Sequence, residues 1–127
     1  MRKRNIGILP NKELTKLINN GKIRIDPSVD NSEEIFSNIQ PASLDLTLGD
    51  IAYRIQCSFL PQSQMVQNRI NDLKMYEVDL NDGAILEKGA VYLVPLREEL
   101  DLPKGICGKA NPKSSTGRLD VFTRVIT

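Results

Sequence analysis

Lys113-Ser114-Ser115-Thr116-Gly117-Arg118 gathers two cations, three hydroxyls and a glycine into six consecutive residues. Phosphate oxygens ask for such groups: positive charge, hydroxyl donors and backbone N–H groups that turn toward one point. Gly117 would let a ligand come close to the backbone, and Pro112 stiffens the segment leading in. The spacing is not that of a Walker loop, because G-x-x-x-x-G-K is absent. A polar turn between two strands has the same composition, so spacing alone leaves both readings open.

Asp45 is the second residue with chemical promise. In Ser43-Leu44-Asp45-Leu46-Thr47-Leu48 the leucines take one face and the polar residues the other. A carboxylate there can hold a turn, face an assembly axis or help order a hydrated magnesium ion. An exposed strand face is the plain alternative. Glu87, Glu98 and Glu99 precede the phosphate-type stretch and fit no catalytic pattern.

Other chemistries are excluded by composition. The chain has no His, and Cys57 and Cys107 stand alone. A zinc site of the kind most nucleobase deaminases use needs paired His and Cys ligands and a glutamate, so neither zinc nor any other protein-held metal is expected. The two thiols read as small buried apolar groups in a reducing compartment. A net charge of +1 over 127 residues argues against nucleic acid as a partner. Residues 104–127 nevertheless carry five cations against Asp120 alone, and Arg2, Lys3 and Arg4 form a basic start that reads as solvated. No apolar run approaches the roughly 20 residues of a membrane span, and no signal-peptide pattern is present. A soluble, cytoplasmic protein is expected.

These residues must be positioned by short elements. The clearest helix is "PNKELTKLINNGK", with Asn11 as cap, Leu14, Leu17 and Ile18 on one face, and Gly21 as stop. "QMVQNRINDLKM" is a weaker helix whose face is Val66, Ile70 and Leu73, and "SEEIFSNI" is worth one turn. Elsewhere the pattern alternates. "SLDLTL", "IAYRI", "AVYLVPL" and "LDVFTRVI" read as strands, separated by turn signals at Asn81-Asp82-Gly83, Lys88-Gly89 and Leu102-Pro103. Short strands with frequent turns predict a mainly β, antiparallel barrel or sandwich with an N-terminal helix. With no repeat, linker or internal boundary, residues 1–127 read as a single domain.

"PASLDLTLG" (41–49) followed by "KSSTGR" (113–118) resembles the first two motifs of the dCTP deaminase and dUTPase superfamily. The chain looks most like the long alphaproteobacterial dCTP deaminases, through "GILP", "AYRI…SFLP", "GAILEKGAVYLVPL" and "ANPKSSTGRLDVFTRVI". The likeness runs along essentially the whole chain.

The resemblance implies a dUTPase-like fold and hydrolytic deamination of dCTP to dUTP and ammonia. Lys113 stands where the family has an arginine, keeping charge but losing the bidentate fork. Ser114 would lie near the attacking water and the α-phosphate, and Ser115 would donate to phosphate. Arg118 would orient the water and offset charge developing at C4 of cytosine. Asp45 matches the motif-one aspartate, in a supporting role. Asp120 stands where shorter relatives carry a small residue. Magnesium would ride on the triphosphate, with no zinc. Partners would be dCTP or dUTP and further copies of the chain, a homotrimer in the family. The family's general-base glutamate lies on a later strand, so the chain is expected to match the N-terminal part of a longer enzyme, without its C-terminal strands. Two alternatives accompany this reading: a catalytically inactive nucleotide-binding or structural remnant, and a dUTPase.

Overall fold

The computed structural model describes residues 7–25 and 33–126; the basic start, Ser32 and Thr127 lie outside them. Along the chain run α1 (Asn11–Asn19), β1 (Ile23–Ile25), α2 (Glu34–Ser37), β2 (Ile51–Ile55), α3 (Val66–Leu73), β3 (Lys74–Asp79), β4 (Val91–Leu93), β5 (Glu98–Leu100) and α4 (Ser114–Arg118). Every strand pair is antiparallel, as the alternating pattern predicts. The chain divides into two compact units, residues 1–49 with 96–106, and residues 50–95 with 107–127.

In the first unit, α1 starts one residue earlier than expected. Pro10 is the N-cap, its carbonyl accepting from Glu13 and Leu14 N–H, while the Asn11 side chain accepts only from its neighbour Lys12. Proline's preset φ suits that position, so the expected asparagine cap becomes the first helical residue. At the other end Gly21 N–H donates to Ile18 and Lys22 N–H to Leu17, the crossed pair of a Schellman motif. Gly21 sits at φ +67, the left-handed conformation that this motif requires. Leu14 and Leu17 are buried as the 3.6-residue period demands.

That helix packs beside a two-stranded sheet in which β1 pairs with β5, Ile23 opposite Leu100 and Ile25 opposite Glu98. Leu17, Ile23, Ile25 and Ile35 form the core, and Leu9, Ile18, Leu44, Leu102 and Ile106 lean against it. Each buried side chain of this kind contributes on the order of 1.5–3 kcal/mol. Residues 43–48 depart from the expected strand. They form only two isolated bridges, Ile39 to Leu44 and Leu48 to Leu96, and Leu48 is exposed. Alternation marks which residues suit a strand, but a ladder also needs a partner along its length.

In the second unit the sheet order is β3-β2-β4. Ala52, Ile55, Phe59 and Ile70 are its buried apolar residues. Expected alternation put Ile51, Tyr53 and Ile55 on one face; burial instead selects Ala52 and Ile55, from opposite faces. The β2–β3 register slips between Arg54 and Ile55, passing over Met75, and such a bulge adds local twist. Lys74 and Met75, expected in the helix, belong to β3, a strand the sequence pattern did not reveal. Residues 119–126 were expected as a strand, yet residues 121–126 form no ladder and Phe122 is 90% exposed. Their first residues are taken up in the C-terminal cap of α4, described below.

Candidate functional site

The two stretches of chemical interest fall in different units, Asp45 in the first and residues 113–118 in the second. The phosphate-type stretch is a short helix where a turn was expected. Lys113, with extended backbone (φ −63, ψ 143), is the N-cap of α4. Ser114 and Arg118 are separated by four residues and Ser115 and Arg118 by three, spacings that place both hydroxyls on the arginine's flank of a helix. All four of Lys113, Ser114, Ser115 and Arg118 are exposed. Gly117 adopts no special φ, and a side chain there would meet nothing within 4 Å. Nothing within the chain therefore demands glycine at that position.

The end of α4 explains the residue after it. Asp120 N–H donates to Gly117 and Val121 N–H to Thr116, the same crossed pair that ends α1, and Asp120 takes the left-handed conformation at φ +58. Aspartate is among the few residues with a side chain that tolerate this region. The position thus carries a backbone requirement, which a glycine would also meet. Of the other cations nearby in sequence, Arg124 donates to the Phe59 carbonyl at 3.2 Å and so serves packing.

In the first unit Asp45 is half-buried. Its N–H donates to the Asn38 carbonyl at 3.0 Å, and Gln40 Nε2 donates to its carboxylate at 3.3 Å. Two residues on, Thr47 donates its N–H to both carboxylate oxygens of Glu98, at 3.1 and 2.9 Å, and its hydroxyl to one of them at 2.7 Å. The Thr47 carbonyl accepts from Arg97 N–H at 3.0 Å. Glu98 is only 6% exposed.

Cys57 and Cys107 are free and exposed, which corrects the expectation of buried thiols; both sit in irregular segments outside the cores. Among the described residues no three His, Cys, Asp or Glu side chains gather as a metal site, and no helix is long and apolar enough to cross a membrane. A shallow cavity of about 160 Å³ beside α3, lined by residues that include Ser63, Gln64 and Arg69, involves none of the expected site residues.

The family model described as "2'-deoxycytidine 5'-triphosphate deaminase (DCD) N-terminal domain" matches residues 5–127. The chain belongs to this family. A relative from Methanosphaera stadtmanae, named "dCTP deaminase, dUMP-forming", is 30% identical over 94% of this chain and 59% of its own length. One of the same name from Streptomyces coelicolor is 28% identical over 91% of this chain and 58% of its own. A third, from Alteromonas mediterranea and named "dCTP deaminase", is 28% identical over 92% and 61%. The chain thus spans about three fifths of the length of these curated relatives. The crystal structure of 2'-deoxycytidine 5'-triphosphate deaminase from Agrobacterium tumefaciens superimposes with a TM-score of 0.86 at 46% identity, covering 98% of this chain and 36% of that one. The antiparallel sheets described above therefore follow the fold of the deaminase family, without closing into a barrel among the described residues.

Within this deaminase-family fold, the residue that sequence reasoning missed is Glu98. A partial signal was present: Glu98 alternates with Leu96 and Leu100, although in the structure both leucines are exposed and only Glu98 is buried. A buried carboxylate must be satisfied by fixed donors. Thr47 provides them.

Proposed function

We propose that this domain takes part in the hydrolytic deamination of dCTP, water replacing the C4 amino group of cytosine to yield dUTP and ammonia. The observation that carries the reading is the set Lys113, Ser114, Ser115 and Arg118 on and beside one short helix, in a chain of the deaminase family. Lys113 supplies charge to the triphosphate and Ser115 a hydroxyl donor. Ser114 holds the water near the α-phosphate. Arg118 orients that water and offsets charge as C4 becomes tetrahedral, the role in which a fixed cation stabilises a transition state more than a ground state. One water proton is passed to the departing amine, which leaves as ammonia.

Magnesium would arrive bound to the triphosphate and offset its charge there, and Asp45 would have a supporting role. The match along residues 5–127 supports this reading over that of an inactive remnant. The working unit is a homotrimer of the whole protein in the cytoplasm, where two unpaired thiols are at home.

A second reading concerns the product. The Methanosphaera and Streptomyces relatives are named dUMP-forming, which favours a site that also cleaves between the α- and β-phosphates, releasing dUMP and diphosphate. The test is to incubate the whole protein with dCTP and magnesium and follow ammonia together with the nucleotide products. Ammonia with dUTP supports the first reading, and ammonia with dUMP and diphosphate the second. Absence of ammonia overturns both. Arg118→Ala should lower kcat/KM by about tenfold or more, because a charge-assisted contact is worth about 1.5–3 kcal/mol. Unchanged kinetics in that variant would remove Arg118 from the site.

A further inference from the structure

We infer that Glu98 is a positioning residue for the Asp45 segment, acting through Thr47; the inference rests on the nucleotide reading proposed above. The segment that carries Asp45 has no continuous ladder and is tied at its ends by the two isolated bridges, at Leu44 and Leu48. Between them, Asp45 is held by the Asn38 carbonyl and Gln40, and Thr47 is the point tied to β5. Its N–H and hydroxyl both donate to one carboxylate, and its carbonyl accepts from the residue preceding that carboxylate in the chain.

The chemistry of the pair is specific. Thr47 presents two donors, and Glu98 accepts both: one carboxylate oxygen takes the hydroxyl and shares the N–H with the other. Glu98 is itself held in place: it is buried and its backbone is paired with Ile25 in the β1–β5 ladder. The ladder thus transmits its rigidity through one side chain to a segment that lacks a ladder of its own. Asp45 lies two residues from that anchor, so a slackened Thr47 removes one of the ties on its segment and leaves those to Asn38 and Gln40. Misplacement of about 1 Å costs a reaction as much as 10²-fold when geometry is critical.

The test compares the whole protein with Thr47→Val, which removes only the hydroxyl, Thr47→Ser, which restores it, and Glu98→Gln. Thermal midpoints report the structural effect, and magnesium-dependent dCTP binding reports the positioning. Thr47→Val should raise the magnesium concentration for half-maximal dCTP binding by about three- to tenfold, the size of one ordinary hydrogen bond. Thr47→Ser should return it to the wild-type value. In Glu98→Gln, amide exchange at Thr47 should accelerate while the amides of α1 keep their protection. Wild-type binding with an unchanged magnesium requirement in Thr47→Val sinks the positioning role alone, as does a Thr47→Ser variant no better than Thr47→Val. Failure of the wild type to bind dCTP sinks the function reading and the positioning role with it. Should Glu98→Gln not fold, the two Thr47 variants still decide the matter.

Discussion

Lys22 and Asp101 meet at 2.7 Å on the surface of the first unit, and beneath that pair the Asp101 N–H donates to the Lys22 carbonyl at 2.8 Å. The hydrogen bond from Lys22, and then its charge, hold the Asp101 carboxyl below its ordinary range. A carboxylate whose pKa is lowered by folding adds stability above its unfolded pKa and loses it as pH falls through the folded value. The difference between wild type and Asp101→Asn should therefore be constant from neutral pH down to about pH 4, where an ordinary aspartate titrates, and vanish below. It should also be small, since both partners are largely exposed to solvent. Urea midpoints at pH 7 and at lower pH check this, and a difference that persists in strong acid would assign the effect to something other than charge. Glu98 is the opposite case. Its carboxylate is buried and accepts from the Thr47 N–H and hydroxyl.

The elements that hold best to their sequence patterns are those that close locally. Helix α1 is stopped by Gly21 in the left-handed conformation; α4, which the pattern did not foresee, is stopped by Asp120 in the same one. A Cβ at Gly21 would meet nothing within 4 Å, so Gly21→Ala pays no steric penalty from neighbours. What remains is the backbone cost of a side chain in the left-handed region, about 1–2 kcal/mol. Leu17→Ala, which empties part of the first core, should cost more, about 2–5 kcal/mol. Urea unfolding of the two variants should rank them in that order. A neutral Gly21→Ala would mean that the motif at the end of α1 contributes nothing.

At the scale of the whole chain, the two units are interleaved in sequence: the backbone passes between them at 49–50, 95–96 and 106–107. Neither unit is a continuous segment, so neither can be completed without chain from the other side of a crossing. We expect one cooperative unfolding transition, as single domains of this size usually show. The tyrosines offer a clean probe, because Tyr53, Tyr76 and Tyr92 all lie in the second unit. Tyrosine fluorescence and far-ultraviolet circular dichroism, to which α1 contributes, should give the same urea midpoint. Separated midpoints would show two independently stable units and overturn the single-domain reading of residues 1–127.

The amino-acid sequence by itself determined the features whose cause lies within a few residues: α1 and its glycine stop, the face of α3, the cores of β2 and β4, and the clustered cations and hydroxyls of residues 113–118. For β2 and β4 that holds of their positions in the chain and not of which side chains they bury; the rest follows from periodicity, capping or local composition, which operate over a single turn or strand. Tertiary structure decided what depends on a distant partner. Whether residues 43–48 and 121–126 joined a ladder, where the β2–β3 register slipped, and whether Cys57 met solvent could not be read from alternation. Above all, Glu98 found its partner in Thr47, a residue 51 positions away. A hydrogen bond across that separation exists only once two strands, a core and a bridge have brought its ends together, and no local pattern records it.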